Sequence, residues 1–222
     1  MRFGRALLIL VASMLGGSAS AQAPDPGAQA VASYRAAVAD YDAAVRGDAS
    51  AGARYFAAFA PTLACWYGER DQPASRVRAE RHFETVIGIV DLEIVRASAT
   101  EVVLLDLGTY DGPGPETADG VRHMHEKGIL MRVDANGTWR IAAETNRVGR
   151  ACLPAPFTFR SPTATCMRAC RTEFERTLRN IEDIAASDPT SGPNGPMEET
   201  EGAADVQSTC MGRCMGSGPV PY

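Results

Sequence analysis

Val86-Ile-Gly-Ile-Val-Asp-Leu-Glu-Ile-Val95 opens the stretch that decides the fold, residues 86–147. Period two puts Val86, Val90, Leu92 and Ile94 on one face and Asp91 and Glu93 on the other, as in a half-buried antiparallel strand. After the polar turn Ala97-Ser-Ala-Thr100, a second strand runs from Glu101 to Tyr110. Its run Val102-Val-Leu-Leu105 with Leu107 is apolar on both faces and belongs inside a sheet. Asp111-Gly-Pro-Gly-Pro115 ends it, because proline lacks a ladder donor and glycine favours turns. Val121 to Val133 is the third strand. Asp134-Ala-Asn-Gly137 is a hairpin signal, since Asn and Gly reach positive φ cheaply. Thr138 to Arg147 is the fourth, with Trp139, Ile141 and Ala143 on one face.

The segments before this block step by three and four. Val31, Tyr34, Val38, Tyr41 and Val45 form one helical stripe, and Gly47 is a natural stop. Asp48 or Ser50 can cap a second helix whose stripe is Phe56, Phe59, Leu63 and Trp66, with Pro61 kinking or splitting it. Asp71 then caps a third helix, Pro73 to Phe83, in which Arg76 and Glu80 are spaced to pair, worth about 0.2–0.5 kcal/mol. Helices followed by long antiparallel strands make an α+β pattern, with N-terminal helices packed on the sheet.

At the start of the chain, Arg2 and Arg5 precede the apolar run Ala6 to Leu15, and Ala21-Gln-Ala23 offers small residues for cleavage. This reads as a secretory signal peptide, residues 1–23, cleaved near Ala23. The protein is therefore expected in the periplasm or outside the cell, with no membrane span in the mature chain. The chain's formal charge of −5 becomes −7 once Arg2 and Arg5 are gone. An acidic protein without a basic stripe is a poor partner for nucleic acid. Lysine occurs once, at Lys127, beside many arginines, a composition that suggests a GC-rich bacterial genome.

The order of elements resembles the nuclear transport factor 2-like fold, which includes SnoaL-like cyclases and ketosteroid isomerases. The residues that carry the resemblance are Tyr55-Phe-Ala-Ala-Phe-Ala60, Cys65-Trp-Tyr-Gly68, Arg78 to Phe83, and the closing strand Gly137-Thr-Trp-Arg-Ile-Ala-Ala-Glu144. The resemblance spans about residues 28–147 and implies a curved sheet whose helices complete a cone that binds small molecules. The family shares no single catalytic set, so it assigns no catalytic residue here. The division that follows is a SnoaL-like α+β domain over 24–153 and a C-terminal unit over 154–222.

That unit holds Cys166-Met-Arg-Ala-Cys170 and Cys210-Met-Gly-Arg-Cys214. Positions four apart share a helix face. Ser161 and Pro162 can start the first helix, whose stripe is Cys166, Cys170, Phe174, Leu178, Ile181 and Ala185. Residues 187–197 are rich in Gly and Pro and read as a loop. In one antiparallel register Cys166 faces Cys214, Cys170 faces Cys210, Phe174 faces Val206 and Leu178 faces Gly202. Disulfides 166–214 and 170–210 are expected, each worth about 2–4 kcal/mol. A four-thiolate zinc site is the competing reading, but it suits reducing compartments and tighter spacing. The unit resembles twin Cys-x-x-x-Cys helical hairpins. Cys65 and Cys152 remain as partners, or as two separately buried thiols.

The site candidates are few. Asp106, between Leu105 and Leu107, is either a pocket carboxylate able to act as a base or a residue exposed or paired with Arg132 or Arg140. His123 and His125 share a strand face and could hold a metal with His82, Asp91 or Asp106 as a third ligand. Lys127 on the same face argues against a cation, and no metal or cofactor is expected. Tyr34, Tyr41, Phe59, Trp66, Trp139 and Glu144 are candidates to line a pocket, the aromatic ones equally at home in the core. Three functions stay open: a non-catalytic module for a small apolar ligand, an enzyme of isomerase, cyclase or hydratase type, and a protein-interaction module that dimerises through an open sheet face. The first and third are favoured over the second.

Overall fold

A computed structural model describes residues 25–83, 85–111, 122–146, 153, 159–187 and 195–216. In chain order the elements are α1 (Pro26–Val45), α2 (Ala49–Ala57), β1 (Thr62–Trp66), β2 (Glu69–Pro73), α3 (Ala74–Glu80), β3 (Ile87–Ala97), β4 (Glu101–Asp111), β5 (Arg122–Val133), β6 (Trp139–Asn146), α4 (Pro162–Ser187) and α5 (Gly195–Cys214). The α+β architecture is as expected. The four strands of 86–147 form one antiparallel meander, to which β1 and β2 add an edge. The order is β2-β1-β6-β5-β4-β3, antiparallel except for the parallel pairing of β1 with β6.

The helix starts follow their capping residues. Asp25 accepts from the Gly27 N–H with proline at the first position, and Asp48 accepts from the N–H groups of Ser50 and Ala51. Gly47, at φ 97°, closes α1. The expected second helix stops at Ala57, short of Pro61. Leu63 and Trp66 lie instead in β1, because their spacing of three fits a helix while the residues beside Pro61 pair with a strand end. Tyr67 and Gly68, both at positive φ, make the tight turn to β2. The third helix is shorter than expected and begins after Pro73 without a side-chain cap, since Asp71 is taken up in β2. Arg76 and Glu80 pair as their spacing requires, at 2.5 Å.

The sheet has two covered faces. On the front, α1–α3 pack over Val102, Leu104, Ile129, Met131, Trp139 and Ile141, with Tyr34, Tyr41, Tyr55, Phe59, Leu63 and Trp66 completing the core. On the back, α4 and α5 bring Ala164, Met167, Cys170 and Met211 against Val103, Leu105, Leu107, Leu130 and Phe159. The alternation along β4 thus serves two cores at once. The sheet face expected to be open for dimerisation is occupied by the chain's own hairpin.

Bulges revise two of the expected strand faces. Register shifts fall between Ile89 and Asp91 and between Ile94 and Arg96. Ile87, Ile89 and Leu92 therefore join the front core, while Val90 and Val95 join the back. In β6, Leu130 pairs with Ala143 but Met131 with Ile141, which leaves Ala142 as the extra residue. An inserted residue flips the alternation beyond it. Ala143, expected beside Trp139 and Ile141, consequently faces back, and Glu144 turns to the front.

The hairpin forms in the expected register at its closed end. Disulfides link Cys166 to Cys214 and Cys170 to Cys210, with Cα–Cα separations of 5.6 and 5.8 Å. Ser161 Oγ caps α4 by accepting from the Ala164 N–H at 3.0 Å. Glu93 of β3 accepts from the N–H groups of Arg160 and Ser161, and Glu126 of β5 holds Arg168, so two strands anchor α4. Further out, the expected interlock of Phe174 with Val206 and Leu178 with Gly202 does not close. Val206 is 65% exposed, and a Cβ on Gly202 would meet nothing within 4 Å. For the third expected bridge, Cys65 is buried in β1, and Cys152 lies outside the described residues.

Candidate functional site

The site lies on the front of the sheet, under α1. Asp106 is fully buried there, between two leucines that face the other way. It is not exposed and does not meet either expected arginine: Arg132 pairs with Glu101 and Arg140 with Asp134. Its Oδ2 accepts from the Tyr34 hydroxyl at 2.7 Å and contacts His125 Nε2 at 3.1 Å. Its Oδ1 is buried and without a hydrogen-bond partner among the described residues. An orphaned carboxylate oxygen is costly, since its hydration is lost with nothing gained in exchange.

Two elements bring these groups together for local reasons. Tyr34 sits on the apolar stripe of α1, so packing that helix on the sheet drives its hydroxyl inward. His125 stands opposite Gly108 in the β4–β5 register. A Cβ at Gly108 would lie 2.2 Å from His125 Cε1, so the imidazole rests across the glycine and reaches Asp106 two residues along. Tyr110 stacks on the same ring, with centroids 6.4 Å apart. Burial and the nearby ammonium of Lys127 push His125 below the usual imidazole range, against the pull of Asp106. The ring is therefore neutral at pH 7, and Nε2–H donates to the carboxylate. Burial and Asp106 push the Tyr34 hydroxyl well above its ordinary value, so it too stays a donor.

Beside this triad lies a cluster built on Glu144. Its Oε1 takes Arg81 Nη2 at 2.7 Å, Lys127 Nζ at 3.1 Å and the Tyr67 hydroxyl at 3.2 Å. Burial raises this carboxyl, but Arg81 and Lys127 more than offset it and hold it at about 2. The chain's single lysine is thus spent on this site. The Arg81 guanidinium lies over Trp66 at 5.0 Å and Tyr67 at 5.8 Å, with its Nε–H unpaired among the described residues. Tyr34, Tyr41, Tyr55, Arg81, Lys127 and Glu144 line a small cavity of about 20 Å³, room for one water.

Of the pocket candidates, Tyr34, Tyr41 and Glu144 line this cavity, while Phe59, Trp66 and Trp139 are front-face core. His123 pairs with Tyr110 through the backbone, and its side chain lies outside the described residues. The other expected ligand partners do not join His125: His82 is exposed, and Asp91 pairs with Leu107, whose side chain faces back. Arg81, Tyr55 and Tyr67 fall in stretches that carry the fold resemblance but are not singled out there as site residues, and Gly108 is not singled out either. Gly108 alone left a trace, as a glycine inside a strand, which marks close approach.

No family model and no curated protein matches the chain. Among solved structures it is similar to a candidate ketosteroid isomerase from Shewanella frigidimarina, at 12% identity over 55% of this chain and 94% of that one, with a TM-score of 0.38. It is also similar to a ketosteroid isomerase-like protein from Erwinia carotovora atroseptica, at 22% identity over 54% and 93%, with a TM-score of 0.34. A third is an NTF2-like protein of unknown function from an Exiguobacterium species, at 16% identity over 51% and 95%, with a TM-score of 0.34. These names are those of the fold resemblance drawn from the sequence.

Proposed function

We propose that the front-face site is an acid–base site for a small molecule, in an exported SnoaL-like protein of isomerase, cyclase or hydratase type. The observation that carries this is Asp106: a fully buried carboxylate with two donors on one oxygen and none on the other. As a base, Oδ1 would take a proton from carbon or water while Tyr34 and His125 hold Oδ2 in place. Asp106 and His125 do not line the cavity themselves, but Tyr34 joins the carboxylate to it, and its lining of Arg81, Lys127 and Glu144 is more titratable than an apolar binding module calls for. Two observations favour the non-catalytic module as the second reading: the cavity has room for one water, and Oδ1 is sealed, so a substrate must move side chains to reach it.

Deuterium exchange separates the two. Small cyclic ketones incubated with the protein in D2O, followed by proton NMR, should lose α-proton signal at least tenfold faster than with the Asp106→Asn variant. Equal rates with both proteins across the panel would leave only the binding module. Export rests on the N-terminal pattern and on the two disulfides, which persist in oxidising compartments. Periplasmic protein whose mass corresponds to a start near residue 24 would support it.

A further inference from the structure

The closed end of the hairpin brings four sulfurs together. Cys166–Cys214 is the bridge nearer the helix ends, and Cys170–Cys210 is the inner one. The two bridges touch. Cys170 Sγ lies 3.6 Å from Cys214 Sγ, and the Sγ atoms of Cys166, Cys170 and Cys214 all lie within 4.8 Å of one another. The spacing makes this so. Residues four apart share a helix face, so each helix stacks its two cysteines a turn apart, and the antiparallel register lays one bridge on the other. Access differs among the four. Cys166 is exposed, Cys210 and Cys214 are half-buried, and Cys170, packed in the back core, is 3% exposed.

A disulfide is exchanged by a thiolate that attacks one of its sulfurs and expels the other. An external thiolate that reaches Cys166 forms a mixed disulfide there and releases Cys214 as a thiolate. That sulfur already touches Cys170. Its attack on Cys170 Sγ closes the 3.6 Å gap to a bonded length of about 2.0 Å, forms a Cys170–Cys214 bridge and expels Cys210. Entry at Cys210 leads to the same product: it releases Cys170, whose attack on Cys214 expels Cys166. The touching pair thus captures the bridge from either side. A second external thiol then resolves the mixed disulfide. The two external thiols lose two electrons and two protons and become a disulfide, and the protein gains them as thiols at Cys166 and Cys210.

We propose that this cysteine cluster is a two-electron exchange site for external thiols, and that its reduced form carries the crossed bridge Cys170–Cys214. The crossed bridge still ties α4 to α5, so the rear cover of the sheet stays in place while the electrons are held. An external disulfide takes them away by the reverse steps.

The test uses the full-length oxidised protein and an equimolar amount of dithiothreitol, without denaturant. Acid stops the exchange, N-ethylmaleimide blocks the free thiols, and trypsin cuts after Arg168 and Arg213, which puts the four cysteines on separate peptides. Mass spectrometry should find a two-thiol species labelled at Cys166 and Cys210, with Cys170 joined to Cys214. Glutathione, a monothiol, should leave an adduct roughly fivefold more abundant on wild type than on Cys170→Ser/Cys210→Ser, where the Cys214 thiolate has no second bridge to attack and expels the glutathione again. A two-thiol species with any other bridge would overturn the proposal, as would direct passage to four thiols or no reduction at all. Equal glutathione adducts on the two proteins would do the same.

Discussion

At the scale of single residues, the front site depends on placements that only the third dimension supplies. Gly108 matters through what it lacks, and Arg81 through the rings it lies on. Neither role has a spacing that a sequence can display. Asp106 was visible as a polar residue in an apolar run, but its neighbours along the chain could not say which face it took. The charges of this site tie stability to pH. His125 has its folded value below the ordinary 6.5, so the neutral ring's contribution is complete above that value and is lost as the pH falls through it. Glu144, held at about 2 against an ordinary 4.5, contributes on the order of 3 kcal/mol above pH 4.5, lost as the pH falls towards 2. Urea midpoints should therefore drop from pH 7.5 to 5.5 in wild type and change less in His125→Gln. Parallel profiles for the two proteins would show that His125 is not buried as described.

At the scale of elements, the long amphipathic helices and the hairpin turns were legible because their periods are unambiguous. Asp134 to Thr138 turns as its residues dictate, with Gly137 at φ 77°. Leu63 and Trp66 misled because a spacing of three is also what a strand beside a tight turn can show. Bulges were illegible, since one extra residue in a run of apolar ones leaves no mark. Yet the bulge at Ala142 decides which way Glu144 points. Deleting Ala142 would leave Ala143 behind and Glu144 in front, since the paired residues keep their register, so the carboxylate itself is the residue to test: Glu144→Ala should leave Arg81 and Lys127 without their shared partner. Losing one member of a buried ion pair costs about 3–5 kcal/mol. Thermal unfolding should show a loss of that order, whereas deleting Ala135 in the exposed turn should cost much less. Equal losses for the two changes would remove the special role given to Glu144.

For the whole molecule, the sequence pointed to an appendage, and the structure makes the hairpin a layer. The twin cysteine spacing predicted the disulfides correctly. It could not show that α4 lies on the sheet, because the residues that meet there, such as Met167 and Leu105, are far apart in the chain. The back core makes a clear expectation. A chain ending at residue 153 would expose Val103, Leu105, Leu107 and Leu130, each worth about 1.5–3 kcal/mol when buried. Such an apolar face invites association. Light scattering should find this truncated chain dimeric or aggregated beside the full-length protein. A stable truncated monomer would mean that the sheet does not need its rear cover.

Strand β5 belongs to both layers. Glu126 reaches backward to Arg168, while His125 and Lys127, on either side of it, reach forward to Asp106 and Glu144. A single pleat is thus a shared lever. Releasing Arg168 from Glu126 would therefore loosen the same peptide units that aim the imidazole and the ammonium. News from the rear of the protein would then arrive at the front without any messenger beyond three consecutive residues.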